Sequence, residues 1–230
     1  MKVRHITALA LSLGLCSFAQ ADFIGVKGGV DYWFFDGQTN MNKTTQNDQD
    51  LDQDGSAQLS ISVEHPVPFI PNVKIKHGNL NAETDGKIAS VANTQVDLNN
   101  SDFILYYEIL DNIISVDAGV GAKVLDGEFK QYGLNTTNID EVYPIAYVAA
   151  GAKLPFTGLS AKGEASYSNF DDAKITDVQA ELQYDFIDNI LVDVGAKVGY
   201  RLLNIDLDDY ENRDMKFEFK GPYIGLEAHF

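Results

Sequence analysis

Three acidic residues near position 50 have the spacing of a calcium-binding loop. Asp50, Asp52 and Asp54 alternate along the chain, and Gly55 follows them. Carboxylates at every second residue of such a loop can converge on a hard cation, and the glycine permits the sharp turn. The twelfth position, where a closing acid is usual, is Ile61. We therefore expect either a weak site for Ca²⁺ or another divalent cation, or an acidic and solvated loop.

Catalysis has little support among the other reactive side chains. Beyond the first 21 residues the histidines are His65, His77 and His229. A hydrolase would need one of them beside a serine and an orienting acid, and no spacing in the sequence implies this. The acidic pairs Asp171-Asp172 and Asp208-Asp209 have no histidine near them. The sequence predicts a protein that is not an enzyme and has no other cofactor; the alternative is a membrane-embedded hydrolase acting on lipid or peptide.

Many of the remaining charged residues alternate with apolar ones. In residues 114–124 every even position is isoleucine, valine or alanine, whereas the odd positions include Asp117 and Lys123. Such alternation places the apolar residues on one face of a β-strand, whereas helical geometry would scatter them around a cylinder. The same alternation occurs in residues 22–35, 58–65, 159–167, 177–186 and 190–202.

The length of these segments favours a membrane barrel over a soluble sandwich. Several run for about ten residues, whereas soluble strands average about 5–6 and a tilted membrane strand needs about 9–11. We predict an all-β, antiparallel, up-and-down transmembrane β-barrel of about ten strands, with short periplasmic turns and longer extracellular loops. An apparent phase change near residues 99–102 suggests a bulge or a late strand start, and a second phase change occurs near residues 221–222. The predicted longer loops are residues 37–57, 82–94, 125–140, 169–175 and 204–214.

The polar faces of these strands should line the barrel. Open aqueous channels occur in barrels of about 16–18 strands, and smaller barrels are filled by side chains. Both signs of charge are present, and an unpaired buried charge is very unfavourable, so we expect a plug of ion pairs. A narrow path for small solutes is the alternative. The predicted lumen charges are Lys27, Asp31, Glu64, Lys74, Lys76, Asp117, Lys123, Lys162, Glu164, Glu181, Asp193, Lys197 and Arg201.

The first 21 residues have the three parts of a secretory signal peptide. A basic start with Lys2 and Arg4 precedes an apolar run, which ends in Ala19-Gln20-Ala21. The apolar run is too short to cross a bilayer as a helix, which needs about 20 residues. We predict cleavage after Ala21, which would leave a single barrel domain of residues 22–230. Cys16, the only cysteine, would leave with the signal.

The charge of the chain excludes one class of partner. The net charge is −17, and loss of the signal peptide would make it more negative by two. Nucleic acid binds proteins mainly through basic contacts to phosphate, so we predict no nucleic-acid partner.

The opening and closing segments carry a family resemblance. Residues 221–230 alternate and end in Phe230, like the closing strand of bacterial outer-membrane proteins that their assembly machinery recognises. The first strand contains Gly28-Gly29, and residues 105–108 and 154–159 read Leu-Tyr-Tyr-Glu and Leu-Pro-Phe-Thr-Gly-Leu. Together these segments resemble a family of small Gram-negative outer-membrane β-barrel proteins named for a Gly-Gly in the first strand. The resemblance covers nearly the whole mature chain and implies the fold and a place in the cell envelope.

That family has no established activity, so the resemblance does not supply a function. We expect a barrel in the cell outer membrane that is structural or surface-binding and has acidic extracellular loops. Its expected partners are outer-membrane lipid and, through Phe230, the outer-membrane assembly machinery. The alternatives are a narrow channel for small solutes and a barrel enzyme acting on lipid or peptide.

Overall fold

The protein is a closed β-barrel of ten antiparallel strands. The computed structural model describes residues 24–40, 49–83, 94–131, 136–189, 192–210 and 213–230. The predicted ten-stranded up-and-down barrel is confirmed, whereas the predicted signal peptide lies outside the described residues. Within those residues, no helix is long and apolar enough to cross a membrane. The strands are β1 (Gly25–Asn40), β2 (Gln49–Glu64), β3 (Asn72–Glu83), β4 (Thr94–Asp111), β5 (Ile114–Gln131), β6 (Thr137–Leu154), β7 (Leu159–Phe170), β8 (Ala173–Asp188), β9 (Asp193–Tyr210) and β10 (Arg213–His229).

The first and last strands close the barrel. Each strand pairs with the next in the chain, and β10 pairs with β1. Two backbone hydrogen bonds between Val26 and Phe230, at 3.1 and 2.9 Å, extend this seam to the last residue. Higher up, the indole Nε1 of Trp33 in β1 donates a hydrogen bond of 3.0 Å to the carbonyl oxygen of Gly221 in β10. We call the end that holds both termini the turn end.

The outer face of the barrel carries an apolar belt. Large apolar side chains on every strand point outward and are exposed, with Val120 at 65% of its full accessible surface and Val148 at 55%. Soluble monomers rarely expose so wide a continuous apolar surface. A band of this kind around a closed barrel is the surface that contacts lipid in outer-membrane proteins.

At the end opposite the turn end the two faces exchange character, and we call this part the collar. Its outward residues are polar, as Asp36, Glu83, Asp126 and Asp140 illustrate. Its inward residues form an apolar core that fills the barrel from wall to wall, as in a soluble domain. The largest of the core side chains that are almost completely buried are Trp33, Phe35, Leu80, Leu98, Leu125, Phe129, Ile175, Phe217 and Phe219.

This exchange of faces explains the two apparent phase changes in the sequence. Near residues 99–102 we expected a bulge or a late strand start, but the pairing of β4 with β5 is continuous from Thr94↔Gln131 to Glu108↔Asp117. The pairing of β10 with β9 is likewise continuous from Met215↔Leu207 to His229↔Asp193. The apolar residues move from the outer to the inner face where the belt meets the collar. In the sequence that move resembles a change of phase.

The collar also shortens the predicted loops. Residues 37–57 were expected to form one loop, but β1 continues to Asn40 and β2 begins at Gln49. Three of the other predicted loops, residues 125–140, 169–175 and 204–214, likewise lie largely in strands that continue into the collar. Most of the remaining one, residues 82–94, lies outside the described residues. Polar residues on the outer face of these strands made their sequences resemble loops. The apolar residues that alternate with them face the core of the collar, and that core was not predicted.

A weak sequence repeat corresponds to two similar hairpins at the turn end. Residues 107–113 resemble residues 184–190. The pairing shifts by one residue between Glu108 and Leu110 in the first hairpin and between Asp185 and Ile187 in the second. The shift falls at the same point of the repeat in both hairpins, so the similarity extends to a bulge and is not limited to shared turn chemistry.

We predict that a charge in the apolar belt destabilises the barrel much more than the same charge on the collar. Val120→Lys should lower the free energy of unfolding in lipid vesicles by about 2–4 kcal/mol, because the ammonium would have to enter hydrocarbon. The matched control, Asn81→Lys on the exposed outer face of the collar, should change it by less than about 0.5 kcal/mol. Equal effects would place the belt outside the lipid.

Candidate functional site

The deepest polar group of the lumen is a buried quartet of two bases and two acids. Lys123 Nζ lies 2.6 Å from Asp102 Oδ1 and 3.2 Å from Asp177 Oδ2. Arg201 binds Asp177 with two hydrogen bonds of 2.8 and 2.7 Å, and its guanidinium lies 4.7 Å from the ring centre of Trp33. The four side chains come from β4, β5, β8 and β9, so the quartet crosses the lumen directly beneath the apolar core.

A second cluster crosses the lumen between β3 and β7. Glu164 accepts hydrogen bonds from Lys74 and from Lys76, the latter at 2.6 Å. The hydroxyl of Tyr147 in β6 lies 3.3 Å from both Lys74 Nζ and Glu164 Oε2. One buried carboxylate thus binds two ammonium groups, which leaves this cluster with a net positive charge.

The third cluster has the opposite charge. Lys197 Nζ lies 3.1 Å from Asp31, 3.5 Å from Glu181 and 3.8 Å from Glu227. The hydroxyl of Tyr223 donates a further hydrogen bond of 2.6 Å to Glu181. Three carboxylates around one ammonium give a net negative charge, and they come from β1, β8 and β10.

The remaining predicted lumen charges lie nearer the turn end. Lys27 Nζ lies 2.7 Å from Glu64 Oε1, which also accepts a hydrogen bond of 2.8 Å from the hydroxyl of Tyr106. Asp117, Lys162 and Asp193 line the open cavity there. All thirteen predicted lumen charges therefore lie either in one of these clusters or on the wall of this cavity.

Two adjoining cavities occupy the lumen below the quartet. The upper cavity is lined by members of the second and third clusters and, from the quartet, by Arg201. The lower cavity is lined by residues of the turn end such as Asp111, Lys153 and His229. Five residues line both cavities, so the two spaces adjoin one another. Those five are Lys27, Asp117, Lys162, Glu181 and Glu227.

The predicted calcium residues do not lie in a loop. Asp50 and Asp52 are exposed on β2, and Asp50 accepts a hydrogen bond of 2.9 Å from Gln38. The side chain of Asp54 is outside the described part of the chain. Among the side chains that are described, no three histidine, cysteine or acidic residues are placed to hold a metal ion. The divalent-cation site stays a prediction.

One histidine has a serine partner that the sequence did not indicate. The imidazole Nδ1 of His77 lies 2.8 Å from the hydroxyl of Ser101, on the outer face of β3 and β4. The two residues are 24 positions apart and meet only because the strands pair. Within the described residues the ring makes no hydrogen bond to a carboxylate, so the pair lacks the orienting acid of a catalytic triad.

Sequence reasoning missed several residues that complete the clusters. Asp102 was missed because it lies where the apolar residues of β4 change from one face to the other. Asp177 was missed because it is the first residue of the alternating segment 177–186. The buried tyrosines Tyr106, Tyr147 and Tyr223 were missed, because only charged residues were included among the predicted lumen groups. Counting every second residue along β8 from Glu181 would have found Asp177.

Comparisons with known proteins show the fold of this chain but not its family or its activity. No family model and no curated protein matches the chain. Among solved structures, the outer membrane protease OmpT from Escherichia coli superposes with a TM-score of 0.52 at 11% identity, covering 93% of this chain and 100% of its own. The chain has the fold of a Gram-negative outer-membrane β-barrel.

Two further neighbours of this barrel are more distant. The translocator domain of the autotransporter NalP from Neisseria meningitidis has a TM-score of 0.47 at 12% identity, covering 97% of this chain and 93% of its own. A FadL homologue from Pseudomonas aeruginosa has a TM-score of 0.43 at 9% identity, covering 91% and 90%. The resemblance to the Gly-Gly family stays a prediction.

We predict that the quartet is essential to the stability of the barrel. Lys123→Met should lower the free energy of unfolding by about 3–5 kcal/mol, because two buried carboxylates would lose a partner. As control, Lys130→Met removes an exposed ammonium that is bound to Glu128 and should cost less than about 1 kcal/mol. Denaturant titration of both barrels in the same detergent gives the comparison, and equal losses would contradict the prediction.

Proposed function

We propose that this protein is an integral barrel of the Gram-negative outer membrane that is structural or surface-binding, conducts no solute and catalyses no reaction. The observation that carries this proposal is the apolar core of the collar. It lies across the bore of the barrel, above the polar cavities, and it is built from side chains that are almost completely buried.

Within the described residues, packed apolar side chains form the core of the collar. Its rings pack edge to face or tilted, with centroid distances of 5.1 Å for Trp33 and Phe35, 5.4 Å for Phe35 and Phe219, and 5.9 Å for Phe129 and Phe217. A hydrated ion would have to shed its water to pass between them, which is strongly unfavourable without compensating hydrogen bonds.

The outer face of the collar is the part available for binding. In an outer-membrane barrel the termini and short turns face the periplasm, so the collar projects from the cell surface. Its exposed acids stand on strands and not on flexible loops, which fixes their positions relative to one another. The belt below contacts outer-membrane lipid, and the acidic collar meets the anionic headgroups and the divalent cations that bridge them.

A narrow channel for small solutes is the second candidate. The two adjoining cavities favour it, because their walls are largely polar and the lower one lies at the turn end. The path ends at the quartet and the apolar core, so conduction would require both to move aside. The closed barrel needs no such rearrangement and is therefore the preferred proposal.

Planar-bilayer recordings test the proposal directly. We expect no unitary currents from the native barrel, because the core excludes water. The double variant Phe129→Ser, Phe217→Ser removes two packed rings and should admit current if it retains heat-modifiable mobility in gels. Reproducible unitary conductance of the native barrel would reject the proposal in favour of the channel.

The assembly machinery is proposed as a partner through the exposed ring of Phe230. Phe230→Ser should reduce the amount of heat-modifiable barrel in the outer-membrane fraction severalfold. As control, Phe103→Ser makes the same change at another exposed belt position and should leave assembly largely intact. If both variants assemble equally well, the terminal ring has no special part in recognition. Recovery of the native protein in the soluble periplasm would refute the location itself.

A further inference from the structure

Strand β6 rises above its neighbour β7 on one side of the collar. The two strands pair only as far as Ala146↔Tyr167. β7 ends at Phe170, which this register sets level with Tyr143, whereas β6 continues for six more residues to Thr137. At about 3.3 Å per residue, roughly 20 Å of β6 therefore extends beyond the end of β7.

The backbone of β6 directs its hydrogen-bonding groups alternately to its two sides. The N–H of Lys153 donates a hydrogen bond of 2.8 Å to the carbonyl oxygen of Ile113. The register with β5 has no shift, so odd-numbered residues of β6 bond to β5 and even-numbered residues face the other side. No strand among the described residues pairs with that side of residues 139–142, which we call the β6 edge. Asp140 and Val142 each present an N–H and a C=O group there.

A proline explains where the pairing with β7 stops. The next pair of this register would be Pro144↔Asn169, and proline has no N–H to donate across it. Proline and inward-pointing charges are two ways in which edge strands avoid indiscriminate pairing. β6 has both, because Glu141 lies on its mostly buried inner face between Ile139 and Tyr143.

The outer face beside the β6 edge is acidic. Asp140 is directly opposite Asp126 on β5, and in the next row Glu128 on β5 is directly opposite Asp97 on β4. Like charges in directly opposite positions destabilise a sheet. Within the described residues, only Glu128 of these four acids has an ammonium partner, which is Lys130. Unneutralised carboxylates therefore lie next to backbone groups that have no neighbouring strand.

These two features together limit what can pair with the β6 edge. A second copy of the barrel would bring its own Asp140 and Glu141 against the same residues, and the like charges would repel. An extended segment with lysine or arginine at alternate positions can bond to the backbone groups and neutralise the acids at once. Addition of a strand to an exposed sheet edge is a recurring mode of peptide recognition, in which main-chain hydrogen bonds give the affinity.

We propose that the β6 edge binds a basic, extended segment of another protein, which joins the collar as an additional strand. The backbone of the segment bonds to Asp140 and Val142. Its basic side chains on the outer face lie next to Asp140 and within reach of Asp126. The proposal rests on the surface-binding function proposed above, because the collar must project from the cell to meet a partner.

Hydrogen exchange of the backbone amides in the full barrel, held in an uncharged detergent, tests the proposal. The probe is the peptide Lys-Val-Lys-Val-Lys-Val-Lys, and the control Lys-Pro-Lys-Pro-Lys-Pro-Lys has the same charge but lacks three N–H groups. We expect the probe at saturation to slow exchange at Asp140 and Val142 at least tenfold, and the control to leave it unchanged. Equal binding of both peptides would indicate attraction by charge alone and overturn the proposal, as would the absence of protection.

Other sites and occupants would give different patterns. β3 also continues beyond its last pair with β2, which is Gln58↔Gly78. Protection of Asn79 and Asn81 in place of Asp140 would assign the added strand to β3 and overturn the proposal. Protection without peptide, together with dimers in analytical ultracentrifugation, would assign the β6 edge to a second copy and also overturn it. A folded, non-conducting barrel that binds no peptide would overturn this proposal alone and leave the proposed closed barrel intact.

Variants separate the backbone contribution from that of the side chains. Val142→Pro removes an N–H that β5 does not use, so it should weaken probe binding at least tenfold, whereas Val142→Thr keeps the N–H and should leave binding unchanged. Asp140→Asn leaves the backbone intact and should weaken binding severalfold, whereas Asp36→Asn on the exposed outer face of β1 should not. Each variant is first checked for heat-modifiable mobility. Unaltered probe affinity in folded Val142→Pro or in Asp140→Asn would overturn the proposal.

Discussion

The pairing of every backbone hydrogen-bonding group is the constraint on which this structure depends. In hydrocarbon there is no water to satisfy an open strand edge, so a sheet can cross only as a closed ring. The pairing of β1 with β10, extended by the bonds between Val26 and Phe230, closes that ring. Once closure is imposed, each strand must show one face to the lipid and the other to the lumen. The charged residues are thereby gathered into clusters whose members come from strands far apart in the sequence.

The outer face of each strand meets lipid along the belt and water in the collar. Along the belt the outside is lipid, so valine, leucine and aromatic side chains point outward and the lysines and acids point inward. In the collar the outside is water, and the arrangement is reversed without any interruption of strand pairing. The barrel therefore resembles a membrane protein at one end and a soluble β-barrel with a packed core at the other. The quartet lies where the belt meets the collar. Its two bases and two acids neutralise one another across the lumen, directly beneath the apolar core.

Alternation along the sequence was sufficient to predict the strands of the belt and their number, because lipid on one side and polar groups on the other give a strong period of two. It was insufficient in the collar, where residues such as Asp36 and Asp126 on the outer face were assigned to loops. The direction of inward side chains could be predicted for Lys123 and Arg201, but their partners could not. Which carboxylate reaches which ammonium depends on how strands at opposite sides of the barrel are staggered, and a single strand contains no information about that.

Trp33 has a consequence for following the folding of this protein. It is the only tryptophan of the chain, and it lies in the collar core with its indole bonded across the junction of the first and last strands. Its surroundings become dry and rigid only when that junction forms, because the carbonyl that its indole binds, that of Gly221, belongs to the last strand of the barrel. Intrinsic emission at a single site therefore distinguishes an inserted but still open sheet from the finished cylinder, without any added label.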